Sequence, residues 1–538
     1  GDKAMAWVKE QNALTQPRLE STPEYRELYA RLLSIYTSRE RIPAVTKRGD
    51  YLYNFWQDAA SPRGLLRRTT LAEFRKKDPA WETVLDITRL SEDEGRKWVY
   101  KESTCLYPDY RRCIISLSRG GADAVELREF DMVEKRFVKD GFLAPESKGG
   151  VAWRDADTLY VSRDFGAGTL STSGYPRQVR EWKRGTPLAD AKLVYEARET
   201  DIGAFPTVVN EPGRKYEMVS RALTMKETEE LIRRGDRWVR LETPLDAEVS
   251  IFNGMVVARL RSDWKPAGRT FRTGSLIAAD LDRFLDGGRD FDVIFEPTPR
   301  ASLQAYAVTR GFLLLDVLDN VKGRVVEARR EGVQWRLREV AVPASSSVGV
   351  AAFDRDTSDD YWLTVTSFLQ PTTLYLARGG RDERKQMKSL PAFFDAKGLK
   401  VGDGLAEGTQ KLLEAKGVKT AYAASYRYQP QALYARELVQ NGTLGAIREV
   451  ECVSHYNWPK LMPFGWPHRL DQGGGRLNNN FTHKLAIVQQ VVGGEILAAM
   501  GETRNDTGIN WRVNSSPTFR AKATQATRPS ATAGFTRR

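Results

Sequence analysis

From about residue 48 to residue 380 the chain is a succession of short runs in which apolar and polar residues alternate. They are rich in Val, Tyr, Trp and Thr and are separated by Gly, Pro, Asp and Asn. Alternation with period two marks strands that bury one face, and the separators are turn formers. Examples are DYLYNFWQD (50–58), RRCIISLSR (111–119), DTLYVSRDF (157–165), KYEMVSRAL (215–223), GMVVARLRS (254–262), RGFLLLDVL (310–318) and DDYWLTVTSF (359–368). Apolar strands that look alike recur near 113, 159, 217, 257, 313 and 363, at intervals of roughly 40 to 60 residues, a period that suits radially repeated four-stranded blades better than a sandwich of fixed size.

The flanks read differently. In STPEYRELYARLLSIYTS, Thr22 is placed to cap a helix, Pro23 suits its first position, and Tyr25, Leu28, Tyr29, Leu32, Leu33 and Tyr36 recur at helical spacing. That stripe needs a surface to cover it. Past residue 400 the grammar becomes α/β: LAEGTQKLLEAKG (405–417) reads as an amphipathic helix and KTAYAASYRY (419–428) as a strand. PQALYARELVQNG (430–442) reads as a helix begun by Pro430 and stopped by Asn441-Gly442. AIREVECVSHYNW (446–458) is expected to be extended, and a glycine-rich turn (473–475) leads to a helix over 482–492. Residues 511–538 lack periodicity and are expected to be a disordered basic tail.

Composition excludes several chemistries. The net charge of +13 is spread over 538 residues and six of the basic side chains lie in 512–538 without an acid, so the rest carries no nucleic-acid footprint. The stretch from Leu485 to Met500 is broken by Gln489, Gln490, two glycines and Glu495, so no membrane span is expected. Cys105, Cys113 and Cys452 form no C-x-x-C pair; buried apolar thiols in a reducing, cytoplasmic setting are the expectation, with a removed upstream leader left open. There are three histidines, His455, His468 and His483, so residues 1–454 hold no imidazole for Ser-His-Asp or Cys-His chemistry. His455 and His468 match no ligand spacing, and no metal site is expected.

Residues 1 to about 400 resemble the amino-terminal part of the prolyl oligopeptidase family of serine peptidases, through AWVKEQNALT (6–15), YLYNFWQDAASPRGLLRRTTL (51–71), CIISLSRGGADAVELREFD (113–131), FVKDGF (137–142), DTLYVSRDFG (157–166) and SGYPRQVREWKRGTPL (173–188). The resemblance implies a helical arm and a seven-bladed propeller that covers an α/β-hydrolase domain and filters substrates by size. That domain would normally begin shortly after 389–401. A hydrolase nucleophile needs a G-x-S-x-G elbow, and none occurs in this chain; Ser116-Leu117-Ser118-Arg119-Gly120 lacks the first glycine and falls in an expected strand. No catalytic residue of the peptidase is therefore assigned.

Residues from roughly 404 to 510 resemble the glucose-fructose oxidoreductase/inositol dehydrogenase family, through 421–451 and GGGRLNNNFTHKLAIVQQVVGG (473–494). The resemblance places His483 where that family carries a histidine able to exchange a proton with a sugar hydroxyl, while Asn479 stands where an Asp is usual. Arg427 would face a cofactor in an intact relative; a solvated cation is the plainer reading. Gly402-Asp403-Gly404 is followed by Gly408, one residue too late for the dinucleotide fingerprint, so no cofactor is expected, NAD(P) entering only if this fragment were functional.

The expected architecture is mainly β: a helical arm over 1–45, a seven-bladed β-propeller over 46–400, a partial α/β fragment of Rossmann end and substrate domain over 404–510, and the tail. The expected function is substrate gating for a prolyl oligopeptidase-type peptidase, with short peptides as partners, no nucleic acid, no membrane, and the hydrolase domain absent from this chain. The alternatives are a nicotinamide-dependent sugar or polyol oxidoreductase remnant and a protein-interaction scaffold. Trp56, Trp153 and Trp182 are expected to pack between blades, and Arg67-Arg68 and Arg111-Arg112 either line a charged channel or occupy solvated strand edges.

Overall fold

The computed structural model describes residues 2–399, apart from 39, 321, 344, 393 and 394, and beyond them residues 430–445, 487, 488, 490, 491, 500, 501, 519 and 520. The chain divides into two compact units, Gly1–Val401 and Gly402–Arg538.

The first unit is a seven-bladed propeller. Seven antiparallel sheets follow one another along the chain, over 46–86, 98–147, 150–196, 203–240, 248–295, 301–340 and 347–389, each built from consecutive strands. We number them blades 1 to 7. Six have four strands; blade 2 has a fifth, Leu143–Ser147, paired to Val125–Asp131.

The seven sequence segments with the clearest apolar texture are the second strands of the seven blades: Tyr51–Trp56, Arg112–Arg119, Thr158–Ser162, Arg214–Ala222, Met255–Arg259, Leu313–Asp319 and Asp360–Thr366. Their composition follows from their place. Each is paired on both edges and covered on both faces, and alternate side chains meet alternate neighbours. In Arg112–Arg119, Ile115 and Leu117 pack with Leu66 and Leu85 of blade 1, while Ile114 packs with Trp153 and Leu159 of blade 3.

The core is accordingly a ring of interfaces. Seven buried clusters are present among the described residues, one for each junction: blades 1 and 2, 2 and 3, 3 and 4, 4 and 5, 5 and 6, 6 and 7, and 7 and 1. The last closes the ring. Since every blade is made from consecutive strands, blades 7 and 1 share no strand, and the junction rests on Leu52 and Phe74 packed against Phe353, Trp362, Leu374 and Met387. Trp153 and Trp182 lie between blades 2 and 3, as expected, while Trp56 is buried against the Arg41 and Arg67 guanidinium groups.

Two helices precede the ring, α1 (Asp2–Glu20) and α2 (Pro23–Tyr36). Thr22 caps α2, its Oγ1 accepting from the Tyr25 amide at 3.1 Å, and Pro23 opens it. The stripe on α2 is exposed, with Leu28 at 57% and Tyr29 at 56%. Helix α1 has no buried residue and no apolar stripe that the sequence would reveal.

Two expectations are corrected. Cys105 and Cys113 are not buried free thiols: they face each other across paired strands and form a disulfide, with Cα atoms 3.9 Å apart. The Arg67-Arg68 pair is not a solvated edge, whereas Arg111 is exposed. Arg68 is buried and donates to Glu82 at 2.5 Å and to the Met132 carbonyl at 2.8 Å; Arg67 lies over the rings of Trp56 and Trp81 at 4.2 and 4.1 Å. Arg111 and Arg112 are held by Asp131 and Glu129 on the neighbouring strand.

In the second unit, Pro430–Gln440 forms the expected helix and Gly442 adopts φ 79° at its end. Met500–Gly501 pairs with Phe519–Arg520, inside the stretch expected to be tail. The elements expected over 405–417, 419–428 and 446–458, the 473–475 turn, most of the 482–492 helix, Arg427, His455, His468, Asn479 and His483 lie outside the described residues.

Candidate functional site: the axial mouth of the ring

First strands of neighbouring blades lie side by side, as those of blades 2, 3 and 4 and of blades 6 and 7 do, which places them round the axis. The turns leading from first to second strands therefore surround one mouth of the ring. They are joined from blade to blade by hydrogen bonds. Glu211 in blade 4 accepts from the Asn253 and Gly254 amides of blade 5 at 2.6 and 3.1 Å. Asn253 donates through Nδ2 to the Arg310 carbonyl of blade 6 at 3.0 Å, and the Arg310 amide donates to the Ser358 carbonyl of blade 7 at 3.2 Å. Asp359 of blade 7 accepts from Thr309 Oγ1 at 3.0 Å and from the Gly311 amide at 2.6 Å. A cavity of about 10 Å³, enough for about one water, lies against Glu211, Asn253, Arg310 and Asp356.

The ring junction is tied at the same mouth. Lys47 Nζ of blade 1 donates to Asp354 Oδ2 of blade 7 at 2.8 Å. From blade 2, the turn between Cys105 and Arg112 carries Tyr110, whose hydroxyl donates to the Asp356 carboxylate of blade 7, two blades round the ring. Burial first, and then Asp356, push the Tyr110 hydroxyl above its ordinary range, so it remains a donor.

Buried carboxylates fasten blades away from the mouth. Glu129 accepts from Arg112 at 3.2 Å, from Arg184 of blade 3 at 2.7 Å and from the Phe142 amide at 2.9 Å. Glu327 of blade 6 accepts from Tyr361 Oη of blade 7 at 3.0 Å and from Arg338 at 2.9 Å. Each has cationic and neutral donors, the condition for burying a charge. A wider cavity of about 500 Å³ lies beside blade 6, lined by Asp319, Lys322, Arg324 and Glu339. Arg324 is spent there on Asp319 and Glu339 at 2.8 and 2.6 Å.

None of these groups forms a nucleophile with a base. Ser118 is fully buried and donates to the Ala122 carbonyl at 2.7 Å, and Ser116 is 2% exposed. The decoy serines are strand residues. Among the described residues no cluster of His, Cys, Asp and Glu could hold a metal ion. No described helix is long and apolar enough to cross a membrane.

The family described as "Prolyl oligopeptidase, N-terminal beta-propeller domain" matches residues 1–389. The chain belongs to the prolyl oligopeptidase family. A second family, the GFO/IDH/MocA C-terminal domain, matches residues 432–523, so this likeness runs past Asn510 and takes in the Phe519–Arg520 strand. An uncharacterized peptidase of Sinorhizobium fredii is 35% identical over 410 residues, covering 74% of this chain and 56% of its own length. An uncharacterized peptidase of Rickettsia prowazekii is 27% identical, covering 70% of this chain and 55% of its own. The solved post-proline cleaving enzyme of Rickettsia typhi superposes with a TM-score of 0.69 at 26% identity, over 74% of this chain and 60% of that one. The chain thus spans somewhat more than half the length of these prolyl oligopeptidase relatives.

The sequence located the blades and the family but missed the mouth. Lys47 and Asp354 are 307 positions apart and Tyr110 and Asp356 are 246 apart, and no local pattern pairs residues at such separations.

Proposed function

We propose that the propeller is the gate of a prolyl oligopeptidase-type serine peptidase: it admits short peptides along its axis and excludes folded proteins, while bond cleavage belongs to groups other than those in its blades. The observation that carries this reading is the ring itself, closed by seven interfaces and rimmed by turns tied to one another from blade 4 round to blades 1 and 2. Selection is steric. A folded domain is wider than such an axis, whereas an extended peptide presents one strand's width. Fluorescence polarisation on the full chain tests it: a labelled proline-containing peptide of about ten residues is expected to bind, and the same sequence held inside a folded carrier domain is not. Equal binding of both would overturn the reading.

A second reading rests on the GFO/IDH/MocA match over 432–523. Under it, that unit is an oxidoreductase remnant in which His483 would exchange a proton with a sugar hydroxyl. Titration with NADH and NADPH decides it: micromolar binding revives an oxidoreductase role, and its absence retires NAD(P) as a cofactor.

A further inference from the structure

The turn that crosses from blade 2 to blade 7 is held at its two ends by bonds of different kinds. At its base, Cys105 and Cys113 are joined across the strand pair, eight positions apart. At its tip, the Tyr110 hydroxyl is bonded to Asp356. Between them the backbone is unusual: Tyr110 sits at φ 53°, a region that residues other than glycine adopt reluctantly. Asp356 belongs to a turn that Asp354 organises, accepting the Asp356 amide at 3.1 Å and bonding Thr357 Oγ1 at 2.6 Å, and Asp354 is also the partner of Lys47 at the ring junction. Disulfide, tyrosine and junction thus form one continuous path across the meeting of the first and last blades, which no connecting segment joins.

We propose that the Cys105–Cys113 disulfide is a redox-controlled latch on the axial mouth, which when closed holds Tyr110 against blade 7 and when reduced releases it. Access favours one direction of attack. Cys113 is fully buried whereas Cys105 is partly exposed, so a thiolate of a small dithiol attacks Cys105 Sγ, the S–S bond breaks, and Cys113 leaves as a thiolate that takes up a proton. The second thiol of the reductant then attacks its own sulfur in the mixed disulfide and frees Cys105 as a thiol. Two electrons and two protons pass to the protein, and the dithiol becomes a disulfide. Without the cross-link the turn is held at its base only by backbone bonds such as that from the Leu106 amide to the Arg112 carbonyl at 2.8 Å, so its base frays while the strand ladder of the blade persists.

The latch deepens the gating reading, and its effect on peptide entry rests on that reading, but its motion does not. Hydrogen exchange on the full chain, oxidised and after dithiothreitol, reads the motion directly. Reduction is expected to raise exchange at least tenfold over 106–111 and over 354–358, with Met255–Arg259 of blade 5 unchanged. Cys105→Ser/Cys113→Ser should reproduce this without reductant. Tyr110→Phe in the oxidised chain should loosen 354–358 and leave 106–111 protected. Loosening of 106–111 alone, no change at either segment, or a rise throughout all blades would each overturn the latch. If the latch opens as expected while the short peptide binds in neither redox state, the latch stands and the gating reading fails.

Discussion

Lys47 and Asp354 meet at 2.8 Å across 307 positions, joining the first strand of the first blade to a turn of the seventh. Lys47 also donates to the Gly49 carbonyl and lies 5.7 Å over the Phe353 ring. Their side chains are 23% and 13% exposed, so water screens the pair little. It is an ionic fastener where the first and last blades meet without a connecting segment.

Lys47→Met is expected to cost about 1–3 kcal/mol, the range for losing a charge-assisted bond and leaving its carboxylate partner partly buried. Asp354→Ala should cost more, because Asp354 also holds the Asp356 amide and Thr357. A double-mutant cycle read by denaturant unfolding checks the pair; a coupling energy indistinguishable from zero would show that the two residues do not communicate.

The same pair gives a pH dependence. Burial raises the Asp354 carboxyl, but the Lys47 and Thr357 bonds outweigh it and hold the group below its ordinary range. A depressed carboxyl contributes its stabilisation fully above the unfolded value, about 3.9, and loses it as pH falls through the folded one. Unfolding measured at pH 5 and pH 3 should show the junction weakening below about pH 4, with a smaller change in Lys47→Met. Glu82, held at about 2 by Arg68 and then Lys135, weakens the fold in the same direction over that window, so the comparison with Lys47→Met is what isolates the junction.

Phe74 is fully buried at the junction, edge-on to Trp81 and Trp362 with ring centroids 6.3 and 5.8 Å away. Phe74→Ala is expected to cost about 3–5 kcal/mol, lost contact and cavity together. Calorimetry of the full chain checks it. A change below about 1 kcal/mol would mean that blade 7 does not depend on blade 1.

Arg67 lies between Trp56 and Trp81 and donates to Asn54 Oδ1 at 2.9 Å; burial lowers its guanidinium to about 10. Its role is planar stacking, so Arg67→Lys should lose about 1–2 kcal/mol despite keeping the charge. Wild-type stability in that variant would assign the site to charge alone.

The exposed stripe of α2 should drive self-association. Leu28→Lys/Leu32→Lys is expected to reduce both concentration-dependent sedimentation and binding of a hydrophobic dye. A monodisperse wild-type monomer without dye binding would contradict this.

Much of the ring was legible because a propeller repeats. Second strands such as Arg112–Arg119 and Leu313–Asp319 are covered on both faces, so their apolar runs stand out against the half-exposed strands around them. Thr22 and Pro23 marked the start of α2 by local chemistry. What stayed hidden depends on closure in space. The partners of Arg68, the Cys105–Cys113 bond and the Tyr110–Asp356 contact require knowing which strands pair and which turns share a mouth. Composition suggested free thiols because three cysteines make no framework, but a register placing Cys105 opposite Cys113 overrides that count.

Under the gating proposal these blades select peptides and do not cut them. The most direct test exposes the purified full chain to a Gly-Pro chromogenic peptide and to a serine-reactive phosphonate, with mass spectrometry of the product. The prediction is hydrolysis no faster than buffer and no phosphonate adduct. Turnover accompanied by one phosphonate per chain, mapped to a serine in blades 1 to 7, would contradict it.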